Sequence, residues 1–202
     1  AGANDDLSDN QNVGMGSYSL FSNTTGYQNV AIGRGTLQNN TTGYLNTAIG
    51  FSSMNFQPVN GRYNTAVGAY SLNLLVNSQY NTAVGYRALY SNVGGNNTAV
   101  GNDSMLLTTT GGFNTAMGNL SLYSNTSGVR NTAIGSSSLY SNSVGSNNVT
   151  VGYNAGYFET GSNRLYIENS DADVNNALIY GEFGADNTAS GNILRTTVSY
   201  TH

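Results

Sequence analysis

The chain has no cysteine, no tryptophan and no lysine; it holds one proline, and its single histidine is the last residue, His202. Without cysteine there is no disulfide framework and no thiol chemistry. Without lysine or an internal histidine, its many serines lack the base that would activate them as nucleophiles. The expectation is a chain that is not an enzyme and carries no cofactor. Charge is equally scarce. Charged residues make up 8% of the 202, the net charge is −4, and no acid lies between Asp9 and Asp103. Six arginines scattered along the sequence are not the clustered cations that phosphates demand, so nucleic acid is not an expected partner. No apolar run approaches the ~20 residues of a membrane helix, so the chain reads as a soluble segment, without direct membrane insertion, of something longer.

Glycine (26) and tyrosine (15) are abundant, and the string Asn-Thr-Ala-(Ile/Val/Met)-Gly recurs. Its anchor falls at Asn12, Asn29, Asn46, Asn64, Asn81, Asn97, Asn114, Asn131 and Asn148, at intervals of 16 to 18 residues and mostly 17. A fixed period of this size is the signature of a solenoid. Three residues after each anchor stands Ile, Val or Met, four after it Gly, and eight after it Leu or Met, until Gly156 breaks the last rule. A second Gly usually closes the unit, as at Gly26, Gly43 and Gly128. A 17-residue unit is too short for a helical hairpin. Its Thr, Val, Ile and Tyr favour two short strands per turn separated by glycine turns.

Alternation within Asn-Thr-Ala-Val places Thr and the aliphatic on one face, Asn and Ala on the other. The expectation is that Thr and the aliphatic point into the coil, which leaves the row Ala48, Ala66, Ala83, Ala99, Ala116 and Ala133 outside, where another chain could approach closely. Each unit offers about two large apolar side chains, worth roughly 1.5–3 kcal/mol each on burial, against roughly 1–2 kcal/mol of backbone entropy per ordered residue. A coil so thin gains from packing on partner chains. Nine coils at ~4.7–4.9 Å predict a rod of roughly 40–45 Å.

The strings Asn131-Thr132-Ala133-Ile134-Gly135, Asn46-Thr47-Ala48-Ile49-Gly50 and Asn29-Val30-Ala31-Ile32-Gly33 resemble the head repeats of YadA-like trimeric autotransporter adhesins. The resemblance covers about residues 12 to 156, with units a few residues longer than the family's. It implies a left-handed parallel β-roll, three chains side by side, and attachment of bacteria to host matrix or to other cells. The domains read as an acidic lead-in or linker over 1–11, a nine-unit array over 12–156, and a β-rich cap or junction over 157–202. In the last, Arg164 to Glu168, Ala177 to Glu182 and Asn192 to Val198 read as longer strands. An open solenoid end would otherwise invite pairing.

The expected function is therefore an extracellular or cell-surface structural and adhesive fibre segment, a homotrimer meeting a cell-surface or matrix receptor. The alternative is a tail-fibre spacer of a phage or contractile injection system. An ice-binding solenoid is a third possibility, from the stacked row Thr47, Thr65, Thr82, Thr98, Thr115 and Thr132, but an inward Thr row and the absence of a flat two-Thr array argue against it.

Two further features bear on sites, and neither identifies a ligand. Asp171, Asp173, Asn175 and Glu182 fall at the first, third, fifth and twelfth positions of a calcium-loop spacing, but Asn176 stands where the loop needs glycine, which favours a solvated turn. Tyr recurs nine residues after the anchor, at Tyr90, Tyr123 and Tyr140, and just before it, at Tyr27, Tyr44, Tyr63 and Tyr80. Such rings among Ser, Asn and Gly suit an adaptable binding surface, or else stack on one another between coils.

Overall fold

One three-residue strand follows each anchor asparagine, and each strand pairs in parallel with the next. The computed structural model describes residues 10–55, 61–74, 77–171, 177–184 and 193–196. Within them lie β1 (Val13–Met15), β2 (Val30–Ile32), β3 (Thr47–Ile49), β4 (Thr65–Val67), β5 (Thr82–Val84), β6 (Thr98–Val100), β7 (Thr115–Met117), β8 (Thr132–Ile134) and β9 (Val149–Val151). β10 (Arg164–Ile167) continues the parallel ladder, and β11 (Ile179–Glu182) and β12 (Ile193–Thr196) then pair antiparallel. All twelve belong to one sheet in sequence order. The fold is an all-β parallel solenoid, and no helix occurs among the described residues.

Register is strict. Ala48 pairs with Ala66, Ala66 with Ala83, and Val67 with Val84, so every unit position stacks on its equivalent one coil away. The side-chain directions reverse the expectation from the sequence. Ala31, Ala48, Ala66, Ala83, Ala99, Ala116 and Ala133 are fully buried in the coil interior, together with the anchor asparagines from Asn29 to Asn148. Thr and the aliphatic face outward, with Ile49, Val84, Met117 and Ile134 exposed. Alternation divides the strand into two sets correctly but carries no sign. The deciding constraint is width: the row Leu20, Leu37, Met54, Leu72, Leu89, Met105, Leu122 and Leu139 already fills the coil from the far side, and only Ala fits opposite it.

The far side is not a second strand, as the composition suggested, but a turn. Its Leu and Met sit in the left-handed region, from φ 46° at Leu72 to 55° at Leu139. That conformation costs roughly 1–2 kcal/mol for a residue with a Cβ, an amount comparable to what burial of a Leu returns. Gly50 shows why glycine follows the strand. Its φ is +127°, and a Cβ there would stand 2.7 Å from the Gly68 carbonyl of the next coil.

The anchor asparagine forms the polar spine of the coil. Asn29 accepts the backbone N–H of Asn46 on Oδ1 at 3.0 Å, and its Nδ2 donates to the Gly43 carbonyl at 2.8 Å. Asn131 does the same with Asn148 (3.0 Å) and Gly145 (2.8 Å). A second buried row lies eleven residues after the anchor, where Asn23, Asn40 and Asn125 donate to the carbonyls of Gly26, Gly43 and Gly128 at 3.0, 3.1 and 3.2 Å. The carbonyls of Gly26, Gly43 and Gly128 thus each collect two side-chain amides, which satisfies buried backbone oxygens.

Gly156 breaks the Leu rule because another side chain takes the space. A Cβ on Gly156 would lie 3.0 Å from the Thr150 methyl and 3.2 Å from the ring of Tyr166, a residue of β10. Tyr166 and Tyr180 form a small second core with Ala155 and Ala177.

Candidate functional site

The residues left on the surface by this coil form two kinds of array. The first is the outer face of the sheet. Ile32, Ile49, Val67, Val84, Val100, Met117, Ile134 and Val151 run in register along it, beside the row of threonines. No charged residue occurs in β1 to β9. At its start Val13 and Met15 are 48% and 60% exposed. A continuous apolar stripe of this length is what a monomeric soluble surface normally avoids.

Aromatic columns form the second. Tyr27 and Tyr44 stack at 4.7 Å and 5°, and Tyr63 and Tyr80 at 5.1 Å and 2°, with an edge contact of 5.7 Å joining the pairs. Arg62 clasps this column, donating from Nη1 to the Tyr44 hydroxyl at 2.8 Å and from Nε to Gln79 at 2.6 Å. That hydrogen bond is the leading cause of the raised pKa of Arg62, and the neighbouring Tyr44 hydroxyl raises Tyr63 in turn. Tyr123, Tyr140 and Tyr157 stack at 5.0 and 4.8 Å. In these columns the tyrosines do stack between coils. Tyr90 is the exception among the residues singled out by the repeat, since no ring stacks on it among the described residues. A third column, Phe51, Tyr70 and Tyr86, meets edge to face at 5.2 and 6.1 Å. It escapes the repeat pattern because its members alternate between the fifth and sixth positions after the anchor.

Ionisable groups gather where the parallel ladder ends. Glu159 accepts the Tyr166 hydroxyl at 2.8 Å and the Gly161 N–H at 2.6 Å. Glu182 accepts the Tyr180 hydroxyl at 2.7 Å. Arg164 lies between the two carboxylates, at 3.8 Å from Glu159 and 3.6 Å from Glu182. Burial, then the bond to Glu182, pushes the Tyr180 hydroxyl up to about 12. Burial and the bond to Glu159 hold Tyr166 well above the ordinary tyrosine value. Of the calcium-loop spacing, Asp171 is exposed and Glu182 is engaged by Arg164 and Tyr180, while Asp173 and Asn175 lie outside the described residues. Among the described residues no three carboxylate, imidazole or thiolate groups gather as a metal centre would.

Comparisons with family models, with curated proteins and with solved structures return no match.

Proposed function

We propose that this chain is a non-catalytic rod segment of an extracellular or bacterial cell-surface fibre, three copies packed side by side, that attaches its owner to cells or surfaces. The observation that carries this reading is the uncharged aliphatic row on the outer face of β2 to β9. An interior of Ala and one Leu row per coil is thin, and covering the outer row with the same row of a neighbouring copy supplies the burial that a single coil lacks. The trimer seam is thus built from the aliphatic row, not from the alanines. The antiparallel β10 to β12 serve as the cap of the array, since they end its parallel edge. The repeats' resemblance to YadA-like heads supports the left-handed roll and adhesion to a cell-surface or matrix receptor. Sedimentation equilibrium tests the assembly: a mass of three times the 21.2 kDa chain is expected, and a stable folded monomer overturns the trimer.

A tail-fibre spacer of a phage or contractile injection system uses the same rod, and sheath and baseplate genes beside this one would favour it. The outward threonines favour a further reading. With Thr47, Thr65, Thr82, Thr98, Thr115 and Thr132 on the outer face, the objection that they point inward falls, and the face carries one threonine per coil in a regular row beside the aliphatics, a surface that could order water as ice. Thermal hysteresis no greater than that of a non-binding control protein disposes of it.

A further inference from the structure

The row nine residues after the anchor is not aromatic throughout. In the row nine residues after the anchor, Tyr90 has Asn73 and Leu106 as its neighbours, whereas Tyr140 is sandwiched between Tyr123 and Tyr157. The interruption coincides with the 16-residue unit that runs from Asn81 to Asn96, one residue shorter than the units beside it. Beside Tyr90 lies a cleft of about 500 Å³ lined by Tyr70, Tyr86, Arg87, Tyr90, Ser91 and the Leu106–Leu107 pair. That volume lies within the range of small-molecule sites, and a wall of aromatic rings with a few fixed polar groups is their usual composition.

The polar groups narrow the ligand. Arg87 donates from Nε and Nη2 to the two carboxylate oxygens of Asp103 at 2.7 and 2.9 Å, a bidentate pair that fixes the guanidinium in place. Asp103 is mostly buried and also accepts Asn102 Nδ2 at 3.1 Å. The pair is neutral as a unit and no other cation lines the cleft, so an anion gains little there. A cationic ligand fares no better, because Arg87 already lies over the Tyr86 ring, 4.9 Å from its centroid. A peptide strand would need unpaired backbone, yet the main chain here is used in the coil ladder: Arg87 N–H donates to Ala69 O at 3.0 Å, Asp103 N–H to Tyr86 O at 2.9 Å and Leu107 N–H to Tyr123 O at 3.1 Å. What remains is a neutral ligand with an apolar face and hydroxyls at its edge. A pyranose ring is such a ligand, with C–H bonds on one face and hydroxyls that can both donate and accept.

We propose that this cleft binds a neutral saccharide, with the apolar face of a pyranose against the Tyr70, Tyr86 and Tyr90 wall and its hydroxyls on Arg87 and Ser91. Orthogonal rings at 6.1 Å and 84° suit this role, since a corner of two rings cradles a puckered sugar as the closed faces of a stacked column do not. The site lies within one chain. It supplies a ligand class for the adhesive reading above and rests on that reading only for its biological use, so a monomer in sedimentation would leave it standing.

Saturation-transfer NMR on the full chain tests the inference with the methyl glycosides of glucose, galactose, mannose and N-acetylglucosamine, and with sialic acid as the anionic probe. Transfer to the ring C–H protons of at least one neutral glycoside at millimolar concentration is expected. Tyr86 is 46% exposed, so Tyr86→Ala should fold normally by circular dichroism while weakening binding roughly tenfold. Tyr90→Ala should act likewise, and Tyr140→Ala, in the closed column, should leave binding unchanged. No transfer to any neutral glycoside, transfer confined to sialic acid, or binding retained in both Tyr86→Ala and Tyr90→Ala overturns the proposal.

Discussion

Asn114 accepts the backbone N–H of Asn131 on its Oδ1 at 2.9 Å while its Nδ2 donates to the Gly128 carbonyl at 2.9 Å, so one buried side chain ties the close of its own coil to the start of the next. Asn114→Ala strands the buried Asn131 N–H, while the Gly128 carbonyl keeps the Asn125 amide at 3.2 Å. An unsatisfied buried group costs about 1–3 kcal/mol, which predicts a loss of that size, measured as a lower urea midpoint. Asn114→Asp keeps the acceptor and loses the donor, and it also buries a charge. It should be no better than Ala near neutral pH.

The two faces of a strand should respond oppositely to size. Ala99 is fully buried against the Leu row, so Ala99→Val overpacks the coil and should cost about 1–3 kcal/mol. Val84 is 37% exposed, and Val84→Thr should change the stability of a dissociated chain by roughly 0.5 kcal/mol or less. Equal losses in thermal melts would contradict the inward alanine row.

Much of this architecture was legible in the sequence, and the boundary between what was and what was not is physical. The anchors gave the coils, their parallel stacking and the buried Leu and Met row, because spacing along the chain becomes register between strands. The sign of the faces did not follow, since alternation is symmetric. One clue was present: the position two after the anchor stays Ala in seven units, from Ala31 to Ala133, while the position three after it wanders among Ile, Val and Met. A packed interior tolerates one size and an open face several. The turn that carries Leu72 was hidden for a different reason, since leucine disfavours positive φ and only the stacked neighbours impose it. The cleft at Tyr90 escaped notice because it lies where the row of rings is not continuous.

Gly156 and Tyr166 compete for one space, which predicts a non-additive pair. Gly156→Leu alone should cost about 1–3 kcal/mol by crowding the ring, and Tyr166→Ala alone about 3–5 kcal/mol by emptying it. The double variant should lose less than the sum. Denaturant titrations of the four proteins check the coupling, and simple additivity would mean that the two side chains do not share the site.

Alkaline pH should loosen the end of the array. The Tyr180 hydroxyl ionises near 10 in the unfolded chain and near 12 when folded, so between those values the unfolded state releases a proton that the folded state keeps. The contribution is complete below about pH 10 and is lost as pH rises toward 12. Tyr166, raised in the same direction, adds to the loss. Melting temperature followed from about pH 8 upward should stay level and then fall, and Tyr180→Phe should make the fall shallower. An unchanged slope in that variant would remove Tyr180 as a cause.

The asparagine spine has one more consequence, for heredity. Each coil bonds only to the coils on either side, through the same few atoms, so deleting or duplicating a whole unit joins an old Oδ1 to an equivalent new N–H. Recombination between neighbouring repeats in the gene can therefore lengthen or shorten the rod in whole coils without altering any surviving joint. Reach becomes a trait that selection can tune separately from what the surface recognises.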